Sequence, residues 1–221
     1  MISQLISRAF RARAFSLLLL FALPGCSGLV NLPGSGPAPD LYDLTPKSSF
    51  APESPAVNVQ LVIEVPTAPR GLDTDRIALR PAPTQLQYFA GSRWSDRAPK
   101  MVQTLLVESF ENSGKIVAVG PQAVGLRSDY VLKTDLREFQ AEYFKPDTPP
   151  EIRVRLNLKL IKMPDARIVA SQNFERVIAA PGNNTIDIVN SFDEALGKVL
   201  RRSVEWSLQE IDRTATPVRG G

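Results

Sequence analysis

Between Glu151 and Leu160 the chain alternates without a break. Ile152, Val154, Leu156, Leu158 and Leu160 are apolar, while Glu151, Arg153, Arg155, Asn157 and Lys159 are polar or charged. Successive side chains of a β-strand point to opposite faces, so this pattern specifies a strand with one buried and one wet face. The sequence on either side carries the same signal. Tyr130, Leu132, Thr134 and Leu136 form an alternating set, and Phe139, Ala141 and Tyr143 continue it one residue out of phase, which predicts a bulge near Arg137 and Glu138. Pro146, Pro149 and Pro150 make a turn, Met163 to Arg167 a hairpin, and Ile168 to Ala179 the returning strand.

Further elements follow from the same reading. Val57, Val59, Leu61, Ile63 and Val65 alternate as a strand with one buried face, preceded by a short strand near 41–45. Arg76–Arg80 and Leu86–Phe89 read as strands, the latter ending at Arg93-Trp94, and Lys115–Val119 as another. Asp96 is the expected cap of a helix over 98–112, with Met101, Val102, Leu105, Leu106 and Phe110 on one stripe and Asn112-Ser113-Gly114 as its stop. A second helix over 185–211 would bury Ile188, Val189, Phe192, Leu196, Val199, Leu200 and Trp206. The expected fold is a single α/β domain, a mixed and largely antiparallel sheet packed by two main helices, as a three-layer or two-layer sandwich.

The N-terminus sets the compartment. Arg8, Arg11 and Arg13 precede an apolar run from Ala14 to Leu23, which ends in Leu23-Pro24-Gly25-Cys26. A charged segment, a short apolar core and small residues before a cleavage point make a secretory signal. The run is shorter than the roughly 17–25 residues a membrane span needs. Leu at −3, Gly at −1 and Cys at +1 resemble the bacterial lipoprotein signal, so residues 1–25 are expected to be removed and Cys26 to carry S-diacylglycerol and N-acyl chains. Ser27, not Asp, follows the cysteine and favours outer-membrane sorting. Residues 26–56 are expected to be a flexible tether, because Gly, Pro and Ser dominate its first part. The domain proper would then span 57–211, with a disordered tail over 212–221.

Charge and composition exclude several functions. The whole chain carries 26 basic and 23 acidic groups, and three of the arginines lie in the signal. The remaining chain is neutral, so its charge gives no support for nucleic-acid binding. Histidine is absent and Cys26 is the single cysteine, which removes the commonest general base, metal ligand and thiol nucleophile. No cofactor is expected apart from the lipid on Cys26. Acidic pairs are the remaining candidates for chemistry. Asp73 and Asp75 read as a solvated turn without the further oxygen ligands of a calcium loop. Glu138 and Glu142 read as a polar sheet face, and no phosphate-binding glycine loop, nucleophile elbow or metal cluster occurs. Tyr88, Arg93 and Trp94 are the candidate partner or subunit contacts, since Tyr, Trp and Arg are enriched at interface hot spots; core packing is the alternative for Tyr88 and Trp94.

The run DRIALRPAPTQLQYFAGSRWSDRAPKMVQTLLVESFENSGKIVAV, with the later DYVLKTDLREFQAEY and SFDEALGKVLRRSVEW, resembles the ABC-type transport auxiliary lipoproteins, the PqiC-like family. The resemblance spans roughly residues 41–210. It implies a non-enzymatic, outer-membrane lipoprotein that docks an MCE-domain periplasmic protein and, through it, an ABC permease and ATPase moving lipid between membranes. Homo-oligomeric rings occur among the relatives it implies, with Arg93 and Trp94 as docking or subunit contacts. A structural lipoprotein that helps insert lipopolysaccharide or outer-membrane proteins is the alternative.

Overall fold

The computed structural model describes residues 38–121 and 127–215. Residues 1–25, Cys26 and the final six residues of the expected tail lie outside the described residues. The described chain runs β1 (Asp40–Tyr42), β2 (Val57–Ile63), β3 (Arg76–Ala82), β4 (Gln85–Trp94), α1 (Ala98–Ser113), β5 (Ile116–Pro121), β6 (Tyr130–Glu142), β7 (Glu151–Lys162), β8 (Arg167–Ala179) and α2 (Thr185–Ala215). This is the element order and mixed α/β architecture that the alternation predicts.

The sheet is built around β6, β7 and β8, which pair antiparallel along nearly their whole lengths. A register shift falls between Leu136 and Glu138, where the phase of the apolar set changes. Beyond β6 the sheet forks. Its first half pairs parallel with β2 through Tyr130–Leu132, and β2 carries β5 at the edge. Its second half pairs parallel with β3 through Gln140–Glu142, and β3 carries β4 and then β1. The link between the branches follows β6: Thr67 N donates to Thr134 O at 2.9 Å and Leu136 N to Thr67 O at 2.8 Å. β2 stops at Ile63, so Val65 is 51 % exposed rather than on the buried face. Pro66 cannot donate to a ladder, and the chain bends there to reach Thr67.

One face of the sheet is apolar and both helices cover it, so the arrangement is two-layered. Ile152, Val154, Leu156, Leu158 and Leu160 are fully buried against α2, and α1 and α2 also pack on each other. The predicted stripes of both helices are buried, except that Trp206 is half-buried against Phe174, ring centroids 5.7 Å apart. Asp96 does not cap α1. Its Oδ1 accepts the Arg97 amide at 2.7 Å, one residue before the helix, while the first-turn amide of Ala98 donates to Thr74 O at 3.0 Å. Arg97 holds the cap position without a side-chain bond. Gly114 ends the helix at φ 62°, a left-handed conformation that glycine adopts without steric cost. At the start of α2, Asn184 Oδ1 accepts the Asp187 amide at 2.9 Å and its Nδ2 donates back to the Asp187 carboxylate at 2.6 Å. A Cβ on Gly182 would collide with that carboxylate.

Two expectations are corrected. The C-terminal tail is helical to Ala215, because Lys162 Nζ donates to Thr214 O at 2.8 Å and Tyr130 Oη bonds Thr214 Oγ1 at 3.1 Å. Nor is the segment from Ala38 to Ala56 a loose tether. After β1 it crosses the helical layer as a strap with its backbone groups bound to fixed side chains. The Asp193 carboxylate accepts from Thr45 N at 2.6 Å and Thr45 Oγ1 at 2.9 Å, Ser109 Oγ from Lys47 N at 2.9 Å, and Glu205 Oε1 from Ala51 N at 2.9 Å. Asn112 Nδ2 donates to Lys47 O at 3.2 Å, and Leu44 is buried beneath the strap. Leu44 belongs to the core and Phe50 packs against it, while these polar partners satisfy the backbone between them.

Candidate functional site

The Tyr88–Trp94 segment lies in β4, between β3 and the edge strand β1. The ladder with β3 slips between Tyr88 and Arg93, where Gly91 takes φ 67°, and this slip decides which face each side chain meets. Trp94 points into the apolar layer, where it is 1 % exposed and packs on Phe139 at 5.5 Å and edge-on to Phe192 at 5.2 Å. In this fold it is a core residue. Arg93 faces outward with its side chain 44 % exposed. It is already engaged: its Nη1 donates to both Asp75 oxygens, at 3.0 and 2.9 Å. Tyr88 is half-buried on the outer face, donates to Gly71 O at 3.0 Å and carries the Arg76 guanidinium 3.7 Å from its ring centroid.

These contacts fix the loop from Pro69 to Asp75 against the sheet. Asp75 O accepts the Trp94 amide at 2.7 Å while its carboxylate holds Arg93. Asp73 pairs with Arg97, and its hydrogen bond and charge hold that guanidinium above its usual pKa. Asp73 and Asp75, read from sequence as a solvated turn, are therefore ion-pair partners of Arg97 and Arg93. The signal that could have found them is the match of spacing, two carboxylates two residues apart against two arginines four apart where a strand runs into a helix. Tyr88 and Arg93 share this outer surface; Trp94 does not.

The outer face continues across β6, β7 and β8 as a lattice of ion pairs. Glu138 accepts from Arg155 Nη2 at 2.6 Å and Gln140 Nε2 at 2.5 Å, with Arg80 Nη1 at 3.7 Å. Glu142, its side chain 4 % exposed, accepts from Arg153 Nε at 3.0 Å and Gln140 Nε2 at 3.1 Å. Arg153 also binds Glu175. Burial alone would lower the Arg153 pKa, and its bonds to Glu175 and Glu142 outweigh that and raise it. The Asp135 carboxyl lies below the ordinary range, chiefly because Thr67 Oγ1 donates to it at 2.7 Å; burial opposes this, and Lys159 and Arg137 reinforce it. Chemically this is a paired face, its carboxylates already engaged by guanidinium and amide donors. Among the described residues, no cluster of three or more acidic residues could hold a metal ion. No described helix is long and apolar enough to cross a membrane.

Comparison with known proteins assigns the whole arrangement. The crystal structure of protein XCC0632 from Xanthomonas campestris, of the family DUF330, superposes with a TM-score of 0.75 at 34 % identity, covering 80 % of this chain and 98 % of that one. A second crystal structure, of an uncharacterized protein, matches at a TM-score of 0.55 and 15 % identity over 81 % of this chain and 99 % of its own, and shares the fold. An uncharacterized protein of Bradyrhizobium diazoefficiens is 29 % identical over 189 residues, 84 % of this chain. The chain spans about half the length of that curated relative, 50 %. The family described as the ABC-type transport auxiliary lipoprotein component matches residues 42–202, from the end of β1 into the second half of α2. With that match over most of the folded residues and a solved structure 34 % identical over 80 % of the chain, the chain belongs to the ABC-type transport auxiliary lipoprotein family.

Proposed function

We propose that this protein is an outer-membrane-anchored, non-catalytic accessory component of an MCE/ABC-type intermembrane lipid transport system, held by acyl chains on Cys26. The observation that carries the reading is the family match over residues 42–202. The character of the outer face supports it, since Arg93, Tyr88 and Arg76 sit on a ledge braced by Asp75 and Gly71. Such a preordered surface binds a protein partner with little entropy lost on ordering side chains. The partner is an MCE-domain periplasmic protein, with the permease and ATPase reached through it. A homo-oligomer is compatible with the same surface.

The test is affinity purification of the tagged full-length protein from cells in mild detergent, with co-eluting proteins identified by mass spectrometry. Recovery of an MCE-domain protein with its permease and ATPase is expected. Recovery of outer-membrane assembly factors with none of those three would replace this reading by the alternative of a structural lipoprotein for lipopolysaccharide or outer-membrane protein insertion. Cys26→Ala should leave the domain folded and release it from the outer-membrane fraction; retention there would refute the anchor.

A further inference from the structure

We infer that the free edge of β8 takes up an extended, acidic segment of a partner protein as a further strand of the sheet, at a surface apart from the ledge at Arg93 and not dependent on the transport role. The described sheet ends at β1, β5 and β8. β1 and β5 are blunted: β1 is three residues long, and β5 is six and finishes in Gly120-Pro121. β8 is thirteen residues long, holds neither proline nor glycine, and pairs with β7. Its register shift falls near its start, opposite Leu160 and Ile161, so the strand is regular from Ala170 to Ala179. Among the described residues, no strand lies on its outer side. A long regular edge is a template for another strand unless it is shortened, bulged, covered or charged against it.

The phase of the ladder fixes which backbone groups are open. Met163 N donates to Asp129 O and Ala180 N to Pro150 O, both at 2.9 Å, continuing the β6–β7 and β7–β8 ladders. Opposed residues of an antiparallel pair alternate between bonded and non-bonded. Even-numbered residues from Ala170 to Ala180 therefore turn their backbone groups to β7, and Ser171, Asn173, Glu175, Val177 and Ala179 turn theirs outward. Of these groups, Asn173 O accepts from Gln172 Nε2 at 3.4 Å. Charge selects the occupant. Phe174 is buried against α2, so Arg176, two residues on, shares its face. Arg202 of α2 holds its guanidinium 5.5 Å from the Phe174 ring centroid, and Trp206, four residues on, meets the same ring edge-on. Both arginines are exposed, and among the described residues neither bonds a carboxylate. Arg153 and Arg155, on the other face of the sheet, are held by Glu142 and Glu138, and Lys198, one turn before Arg202, by Glu194. A strand laid on β8 would bring every second side chain beside Arg176 and the Phe174–Trp206 pair. Carboxylates there meet the two arginines, whereas lysines would set like charges opposite each other.

The test uses the full-length protein in mild detergent and two dye-labelled decapeptides, one alternating Glu with Thr and the other Lys with Thr. The acidic peptide should bind and slow amide exchange at Ser171, Asn173, Glu175, Val177 and Ala179, read residue by residue by NMR. The even-numbered amides between them, already bonded to β7, should change little. Arg176→Glu combined with Arg202→Glu should weaken the acidic peptide several-fold and admit the lysine peptide instead. Val177→Pro removes an outward N–H but no bond to β7, and should also weaken the acidic peptide several-fold. Ser171→Pro gives the same reading should Val177→Pro fail to fold. Equal binding of both peptides, binding without the alternating protection, or no binding of either overturns the inference. Alternating protection that needs no peptide and grows with protein concentration overturns it as well, and gives the edge to a second copy of the chain.

Discussion

Replacing Trp94 distinguishes a core residue from a docking residue. Its indole is 1 % exposed and touches two other aromatic rings, Phe139 and Phe192, which lie 5.0 Å from each other. Truncating a buried aromatic to alanine costs about 3–5 kcal/mol, and two lost ring contacts of about 0.5–1.5 kcal/mol each place Trp94→Ala at the upper end. For a domain of this size each kcal/mol moves the melting temperature by about 2–4 °C, so a fall of about 10 °C or more is expected. Trp94→Phe should behave differently. The Trp94 indole Nε1 is buried without a partner, and an unsatisfied buried donor costs about 1–3 kcal/mol. Phenylalanine removes that penalty while losing one ring of area, so the net change should stay within about 1.5 kcal/mol. Urea unfolding followed by circular dichroism reads both variants. A loss below about 1 kcal/mol for Trp94→Ala would refute the core assignment, and equal losses for the two variants would show that the indole N–H has a partner after all.

Three more expectations follow from the same contacts. Arg93→Glu sets like charges against Asp75 on an exposed surface, so it should cost at most about 1 kcal/mol of stability, yet weaken co-purification of the transport partner; undiminished capture would remove Arg93 from the interface. Asp193→Ala deletes the acceptor of both Thr45 bonds, and amide hydrogen exchange should speed across residues 44–52 with little change in the sheet. Exchange unchanged there would mean that Leu44 and the other contacts hold the strap alone. Asp135 has a folded-state pKa below its unfolded value, so its stabilisation is fully present above the ordinary carboxylate pKa of about 3.9 and is lost as pH falls through the lower folded value. Thr67→Val should therefore move the Asp135 titration upward by NMR, and an unmoved titration would assign the shift to Lys159 and Arg137 instead.

Where one residue's environment is set by its neighbours in sequence, the fold was legible. β7 is an example, and so is the phase slip in β6, where the apolar set changes step at Arg137 and the ladder shifts between Leu136 and Glu138. Gly114 as the stop of α1 is another. The fork was not legible, because nothing local to β2 or β3 says that both lie on the same edge of β6. The strap was missed for a related reason. Pro- and Ser-rich composition predicts that a segment cannot order itself, but Asp193, Glu205 and Ser109, more than sixty residues away, order it from outside. At the candidate site the residue types were found and their directions were not. Tyr88 and Arg93 face out while Trp94 faces in, because the ladder slips between Tyr88 and Arg93 at Gly91, so that residues six apart, which alternation alone would put on one face, point opposite ways.

The parallel pairing of β1 with β4 has a mechanical meaning. If Cys26 carries the proposed anchor, tension on it would enter the described chain ahead of Asp40, at a strand that lies parallel to β4. Load applied along a strand stresses all its hydrogen bonds together, in shear, whereas load across it would part them one at a time. Three residue pairs joined in this way resist as a unit. Should they yield, the force passes next to Thr45 and its two bonds to Asp193, so the helical layer and then the sheet are shielded in turn. The order of breakage under tension is thus written into the direction of one three-residue strand.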